Sequence, residues 1–177
     1  MKINKYVLIF VVGLVAVSVG LFVKAQNTER VTKAPQAQGV VSTSEKAPDF
    51  SLSTIDGGTI SLSEFRGKKS VVLDFWTSWC PNCRRDMPKL SQMYEKHRDN
   101  IEVIGINLQE NPDIIERYIS SADIVFPIAL DPTGTVSNAY DVRYTNTHVL
   151  IDIDGNIVKI IPGDIRESDI ISLIQRN

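Results

Sequence analysis

The chain has 177 residues, of which 43% are hydrophobic, so it can bury one sizeable core but not the cores of two domains. Its formal net charge is −2, and this balance excludes the strongly basic surface expected of a nucleic-acid-binding protein. The chain contains only two cysteines, so all cysteine chemistry must come from one pair.

The N-terminus has the features of an export or anchoring signal. Lys2 and Lys5 precede an uncharged apolar run over residues 6–23. A cleavable signal has an apolar core of about 7–15 residues, whereas a spanning helix needs about 17–25, so the length favours an uncleaved signal-anchor at residues 1–23. The leading lysines place the N-terminus in the cytoplasm and the rest of the chain outside. The alternative is secretion after cleavage near Ala25, which is preceded by residues that signal peptidases accept.

The composition changes after this segment. Residues 24–45 are rich in Gln, Ser, Thr and Ala and have no apolar period, which predicts a flexible linker. From residue 46 the pattern becomes that of a compact α/β domain. We therefore predict one folded domain over residues 46–177.

The domain begins with strand patterns. The pieces APDFSL and TISLSEF flank a turn signal at residues 56–58, which predicts an N-terminal β-hairpin. Residues 70–77 form a near-continuous apolar run with β-branched and aromatic residues, as in a central strand covered on both faces. After the cysteines, apolar positions recur at helical spacing and predict a helix. Its stripe consists of Met87, Leu90, Tyr94 and His97.

Further along the chain, strand and helix patterns alternate. Ile101–Asn107 predicts a strand, and Pro112 opens a helix. The segment THVLIDIDGNIVKII predicts a hairpin with a tight primed turn at Asp154-Gly155, and an amphipathic helix closes the chain. This order predicts an α/β fold with a mixed central sheet and helices on both faces. The cysteines follow the first central strand, at the sheet edge where such folds place their chemistry.

The cysteine pair, Cys80 and Cys83, has three possible uses. As a structural staple it would close only four residues, which removes little chain entropy, about 2 kcal/mol. A closed zinc site needs four ligands, and the chain has no second cysteine pair. His97 lies on the helix stripe and suits a packed or rim position. His148 could face the cysteines, but a position on a strand surface is favoured. We therefore predict no metal site, and redox chemistry is the use that the local sequence supports.

The residues around the pair supply a redox mechanism. If Cys80 caps the helix, Pro81 occupies the first helical position, where its missing N–H costs nothing. The Cys80 sulfur then faces the N–H groups of Asn82 and Cys83, which favour the thiolate. Cys80 is thus the predicted attacking thiol, and Cys83 resolves the mixed disulfide.

Charged residues near the pair are further candidates. Asp74 lies within the buried strand run, where an unpaired charge is expensive, and Asp86 stands three residues after Cys83 on the same helix face. Either acid could take the proton of Cys83. Arg84 and Arg85 either add positive charge at the helix start or serve only as solvated surface residues.

The segment VVLDFWTSWCPNC, with its flanks APDFSL and DGGTISLSEFRGK, resembles the thioredoxin superfamily, specifically its membrane-tethered extracytoplasmic branch of ResA/TlpA type. The resemblance runs from about Ala47 to the C-terminus and includes THVLIDIDGNIVKI. It implies a thioredoxin-like fold with an exposed first cysteine and a shielded second, at the bacterial cell membrane. It also implies thiol–disulfide exchange on exported protein disulfides or dithiols, for example apocytochrome c before haem attachment. Electrons would come from a membrane thiol transporter, and no cofactor is expected.

The chain departs from this family at two places. The family's cis-proline beside the cysteines is Asn146 here, and a cis bond before a non-proline residue costs about 2.5–4 kcal/mol, so we expect a trans bond. The dipeptide Pro81-Asn82 also differs from the common pattern of the branch. Asp74 matches the buried acid of thioredoxin, and Asp86 matches the active-site acid of the ResA branch. Because this chain has both acids, the resemblance does not assign the role of either one. The substrate-binding candidates are Trp79, Pro81, Asn82, Asn146 and Thr147.

Several functional alternatives stay open at this point. The pair is expected to act as a reductant, but the dipeptide is also compatible with an oxidant of exported thiols. A peroxidase of peroxiredoxin type is suggested by APDFSL and Thr77, although residue 73 is Leu where that motif has Pro. The non-enzyme alternative is a thioredoxin-fold module that binds a metal or a partner through a groove altered at Asn146.

Overall fold

A computed structural model of the protein describes residues 45–176. The predicted signal-anchor, the cleavage site near Ala25 and residues 24–44 of the predicted linker lie outside the described residues, as does Asn177. The domain limits proposed at residues 23 and 45 stay predictions. Within residues 45–176, no helix is both long and apolar enough to cross a membrane.

The described residues form a five-stranded mixed sheet and a separate strand pair. The strand pair is antiparallel and consists of β1 (Ser51–Ser53) and β2 (Thr59–Ser61), followed by a 3-10 helix at Leu62–Phe65. The sheet has the order β5-β4-β3-β6-β7, in which β3, β4 and β5 run parallel and β6 and β7 are antiparallel to their neighbours. Its strands are β3 (Ser70–Trp76), β4 (Ile101–Leu108), β5 (Ile128–Asp131), β6 (Thr147–Ile151) and β7 (Ile157–Pro162). The helices are α1 (Pro81–His97), α2 (Pro112–Ser121), α3 (Thr135–Ala139) and α4 (Glu167–Ile174).

The central strand β3 is buried along its whole length because both faces of the sheet are covered. Alternate residues point to opposite faces. Val72 and Trp76 pack in one core with residues of α1, α2 and α4. Leu73 and Phe75 pack in the other core with α3 and the N-terminal strand pair. The predicted mixed sheet, two-sided helix cover and N-terminal strand pair are therefore confirmed.

The turn between β6 and β7 differs from the predicted primed turn. A type I′ turn needs positive φ at both central residues, but in this turn only Gly155 has one, at 84°. The N–H of Gly155 donates to the carbonyl of Asp152, and the N–H of Asp152 donates to the carbonyl of Asn156. The side chain of Asp152 also accepts from Asn156 N at 2.8 Å. The loop is thus longer than predicted and is held by an aspartate side chain.

The sequence analysis did not separate β5 and α3 as elements. β5 has four residues and lies between Pro127 and Pro132, and α3 has five residues. Elements this short carry no apolar period that distinguishes them from loops. β5 is paired because it lies beside β4 in the sheet, a contact that depends on the whole fold.

Candidate active site

Helix α1 begins as the sequence predicts. It starts at Pro81, and Cys80 is its N-cap residue. Of the two predicted donors, the N–H of Cys83 makes the bond to Cys80 Sγ, at 3.2 Å. A thiolate at this position gains a hydrogen bond and faces the positive end of a helix of 17 residues, and both effects favour the charged form.

The two cysteines form a disulfide, so the structure represents the oxidised state. Their Cα atoms are 5.3 Å apart. Cys83 is fully buried and Cys80 is 5% exposed, so the order of exposure agrees with the resemblance but the first cysteine is nearly covered. The neighbouring Trp79 is 68% exposed. Cys80 is therefore followed and preceded by exposed residues although its own side chain is nearly covered.

The loop before Cys80 is held from two sides. Glu110 accepts bonds from the backbone N–H and the hydroxyl of Ser78, both at 2.6 Å, and from Asn107 Nδ2 at 2.8 Å. On the other side, Arg84 Nη1 donates to the carbonyl of Ser78 at 3.2 Å. Ser78, Glu110 and Asn107 were not predicted from the sequence as site residues. Asn107 lies near the carboxyl end of β4 and Glu110 follows that strand, which is parallel to β3, and this topology is the signal that could have revealed them.

Asp74 lies on the α1 side of the sheet. Because successive side chains of a strand point to opposite faces, Asp74 points away from the face of Leu73 and Phe75. It therefore lies on the same face as Val72 and Trp76. Its side chain is fully buried, and no hydrogen-bond donor among residues 45–176 reaches either carboxylate oxygen. Burial, with a smaller effect of the Asp86 charge, raises the pKa of Asp74 to about 8. The carboxyl of Asp74 therefore favours its protonated form at neutral pH.

Asp86 extends from α1 into the same buried region. It is 1% exposed, and its Oδ2 accepts the backbone N–H of Ile165 at 3.2 Å. Burial raises the pKa of Asp86 to about 6, while the bond from Ile165 acts in the opposite direction. Since Asp86 follows Cys83 by three residues, both side chains lie on the inward face of α1.

The prediction that His148 occupies a strand surface is wrong. His148 pairs with Asp74 across β3 and β6, and it is 1% exposed. Its Nε2 lies 3.4 Å from Asp74 Oδ1 and 3.3 Å from Asp86 Oδ2. Its Nδ1 is 3.0 Å from the carbonyl of Gly163. Burial lowers the pKa of His148 to about 4.

The other histidine has a structural position. His97 lies at the rim of the domain, as expected, and its Nε2 is 3.0 Å from Glu167 Oε1. Among residues 45–176, no three His, Cys, Asp or Glu side chains are grouped as a metal site.

The substrate-binding candidates divide into two groups. Trp79, Pro81 and Asn82 are exposed beside Cys80. Asn146 and Thr147 are buried, at 2% and 5% exposure. The exposed group is thus available to a substrate in this state, whereas the buried pair takes part in internal bonds.

Asn146 has the trans bond expected of it, since residues 45–176 contain no cis peptide bond. Its φ is 58°, in the left-handed region that asparagine tolerates better than most residues. Its N–H donates to the carbonyl of Phe75 at 2.9 Å, and its own carbonyl accepts from Gly163 N at 2.7 Å. Its side-chain Nδ2 donates to Asp164 Oδ1 at 3.1 Å.

The two arginines have specific partners, in contrast to the solvated alternative. Arg85 Nη2 donates to both carboxylate oxygens of Asp164, at 2.7 and 2.9 Å, and Arg85 Nη1 donates to Asn82 Oδ1 at 3.0 Å. The guanidinium of Arg84 lies 5.3 Å from the ring centroid of Tyr118. Through Arg85 and Asp164, the Asn82 side chain is linked to the loop that holds Asn146.

Comparisons with known proteins agree with this geometry. The AhpC/TSA family matches residues 43–160. The thiol-disulfide oxidoreductase ResA of Geobacillus thermodenitrificans is 36% identical over 131 residues, which cover 73% of this chain and 75% of the relative. ResA of Bacillus subtilis is 33% identical over 129 residues, 72% of each chain.

Solved structures show the same likeness. A putative thiol:disulfide interchange protein DsbE from Chlorobium tepidum has a TM-score of 0.69 and 30% identity, and covers 76% of this chain and 96% of its own. StoA from Bacillus subtilis has a TM-score of 0.63 and 29% identity, with coverages of 72% and 96%. With its capped cysteine pair on a thioredoxin-like fold, this chain belongs to the AhpC/TSA family and, within it, to the thiol–disulfide oxidoreductases of ResA type.

Proposed function

We propose that this oxidoreductase acts as a reductant of disulfides in exported proteins, on the outer side of a bacterial cell membrane to which residues 1–23 anchor it. The observation that carries the proposal is the position of Cys80 Sγ, which caps α1 and accepts the Cys83 N–H at 3.2 Å. This arrangement favours the Cys80 thiolate, which is the species that attacks a disulfide, and so supports thiol–disulfide exchange. The reductant direction is proposed from the similarity to ResA.

The reaction has two exchange steps. The Cys80 thiolate attacks one sulfur of the substrate disulfide, forms a mixed disulfide and releases the other substrate sulfur as a thiolate, which takes a proton from water. Cys83 then gives its proton to a buried acid, and its thiolate attacks Cys80 Sγ. The bond from Cys80 to the substrate breaks, so the substrate leaves fully reduced and the Cys80–Cys83 disulfide of the structure is formed.

The buried acids support the second step. Cys83 is fully buried, so water does not reach it easily to take its proton. Asp86 and Asp74 are also buried on the α1 side of the sheet, and burial raises the pKa of both. Asp86, whose pKa of about 6 leaves it ionised at neutral pH, is a stronger base than an ordinary aspartate and is suited to accept a thiol proton. Asp74, whose pKa is about 8, holds its own proton at that pH.

The proposed substrate class is supported by the surface beside Cys80 and by the predicted export signal. Trp79, Pro81 and Asn82 offer an exposed contact surface for a protein chain. Apocytochrome c, whose cysteines must be reduced before haem attachment, is the proposed substrate. The proposed electron donor is a membrane thiol transporter, which reduces the Cys80–Cys83 disulfide by the same exchange in reverse.

The second candidate is oxidation of exported thiols. The dipeptide Pro81-Asn82 lies between the cysteines, and in the oxidised state Asn82 Oδ1 is held by Arg85 Nη1. The direction of electron flow depends on the relative stability of the dithiol and the disulfide, so the reduction potential distinguishes a reductant from an oxidant.

The activity is tested with two cysteine variants. Cys80→Ser should abolish insulin-disulfide reduction because it removes the attacking sulfur. Cys83→Ser keeps the attacking thiol, so it should accumulate a mixed disulfide with the substrate, visible as a mass increase that dithiothreitol reverses. Undiminished insulin reduction by Cys80→Ser would exclude the proposed mechanism.

A further inference from the structure

His148, Asp74 and Asp86 form a buried cluster that joins three elements of the fold. Asp74 comes from β3, Asp86 from α1 and His148 from β6. All three side chains are nearly or fully buried. The three groups meet at one atom, because Nε2 of His148 lies 3.4 Å from Asp74 Oδ1 and 3.3 Å from Asp86 Oδ2.

The backbone determines which ring nitrogen is available in this cluster. Nδ1 of His148 lies 3.0 Å from the carbonyl oxygen of Gly163, and a carbonyl can only accept, so Nδ1 carries a hydrogen. In the neutral imidazole the lone pair is therefore on Nε2. Both carboxyl groups have an oxygen within 3.4 Å of Nε2, so a carboxyl that holds a proton can reach this nitrogen.

The carboxyl oxygens in the cluster have few other partners. Within residues 45–176, no hydrogen bond reaches Asp74 Oδ1, Asp74 Oδ2 or Asp86 Oδ1, whereas Asp86 Oδ2 accepts from Ile165 N. Unpaired carboxylate charge is costly at such burial. Sharing a proton through Nε2 removes part of this cost, which explains why a histidine suits the position between the two acids.

We propose that His148 is a proton-relay residue of the exchange reaction, through whose Nε2 the proton that Asp86 receives from Cys83 passes between Asp86 and Asp74. Because burial lowers the pKa of His148, the proton rests on a carboxyl group and is on Nε2 only during the transfer. This inference rests on the proposed function, since it concerns the step in which Cys83 attacks Cys80. The proton stays in the cluster while the disulfide exists. It returns to Cys83 when a donor reduces the disulfide and Cys83 Sγ leaves as a thiolate.

Other charges near the cluster are balanced among themselves. Asp164 and Asp169 raise the pKa of His148 and so favour its protonated form. Asp164 also raises the pKa of Asp86, whereas Arg85 and Lys89 lower it. Asp164 is paired with Arg85, and Asp169 with Lys159. The relay therefore depends chiefly on the three buried groups.

The test separates the two exchange steps with dithiobis-nitrobenzoate, an aromatic disulfide that releases one coloured thiolate in each step. Reduced protein is mixed in excess with the reagent in a stopped-flow instrument, between about pH 5 and about pH 9. The first phase reports attack by Cys80 and the second reports attack by Cys83. Cys83→Ser is the control that should show only the first phase.

Two variants of His148 are compared with the wild type. In His148→Asn the amide nitrogen stands near the place of Nδ1 and keeps a donor for the Gly163 carbonyl, but the base at Nε2 is lost. In His148→Gln an amide group stands near the place of Nε2 and can form hydrogen bonds, but it does not take up a proton. Thermal unfolding of both variants is measured alongside.

Both variants should keep the first phase and slow the second phase about tenfold near pH 7. The second phase should also shift its pH dependence upward by about one unit, because Cys83 must then lose its proton without the relay. A second phase with the wild-type pH profile, or one slowed equally at every pH, would overturn the proposal. A second phase of wild-type rate in His148→Gln would also overturn the proposal, because the glutamine side chain does not take up a proton. Absence of the first phase in the wild type would instead contradict the proposed function.

A measurement on the unmodified protein covers the case in which both variants unfold. The ¹⁵N resonances of the His148 ring are followed against pH in the reduced and oxidised states. The relay predicts that Nε2 titrates over different pH ranges in the two states. An Nε2 signal that is the same in the reduced and oxidised states from about pH 5 to about pH 9 would exclude the proposed relay.

Discussion

At the scale of single residues, the most unusual feature is a carboxyl group buried in the central strand. Asp74 is fully buried between hydrophobic neighbours on β3. Burial raises its pKa from 3.8 in the unfolded reference to about 8. The folded protein therefore binds more protons than the unfolded chain between these two pH values, so the free energy of unfolding falls as pH rises through this window.

Asp74→Asn removes this proton linkage while keeping nearly the same volume. We expect the variant to gain stability relative to the wild type as pH rises from about 4 to about 8, by at most about 1.4 kcal/mol per pH unit. Urea unfolding at about pH 5 and about pH 8 measures the change. Asp99→Asn, at an exposed turn, is the matched control. A stability difference that is the same at both pH values would show that Asp74 is ionised throughout.

At the scale of elements, Asn146 stands just before β6 in place of the family's cis-proline, and both of its backbone polar groups are hydrogen-bonded. The N–H of Asn146 pairs with Phe75 at the end of β3, and its carbonyl pairs with Gly163 after β7. Both backbone groups that could bind an extended substrate at this residue are thus used within the fold. Substrate contact is therefore expected at the exposed Trp79 and Asn82 rather than at Asn146.

Asn146→Pro tests this arrangement directly. Proline has no N–H for the Phe75 carbonyl and cannot adopt the φ of 58°, so the free energy of unfolding should fall by about 3 kcal/mol. Asn146→Gly keeps the N–H and permits positive φ, so its loss should stay within about 1 kcal/mol. Chemical denaturation of both variants gives the comparison. A proline variant as stable as the glycine variant would mean that this segment readily adopts another conformation.

The same elements show what the sequence could predict. Strand β3 and the Cys80 cap were predictable because each depends on local signals, a continuous apolar run and a proline at the first helical position. The buried position of the His148 side chain beside Asp74 was not predictable. It depends on the register between β3 and β6, which are far apart in the sequence. Glu110 was missed for a similar reason, since its bonds to Ser78 connect two strand ends.

At the scale of the whole molecule, the redox pair lies just beyond the carboxyl end of the central strand β3, and the acids lie in the core between the sheet and α1. Cys80 lies at the start of α1 next to the exposed Trp79, whereas Cys83 points into the core. The core on this side also contains Asp74 and His148, both on the α1 face of the sheet. The fold therefore separates the sulfur that is proposed to attack the substrate from the groups that are proposed to take up the proton.

The central claim is that this pair donates electrons to exported proteins. The most direct measurement is the reduction potential of the Cys80–Cys83 couple, obtained by equilibration with glutathione or dithiothreitol buffers and quantified by thiol alkylation and mass spectrometry. A reductant requires a stable disulfide form, so we predict a value near that of thioredoxin, about −270 mV. A value near about −120 mV would make the pair an oxidant and would contradict the account.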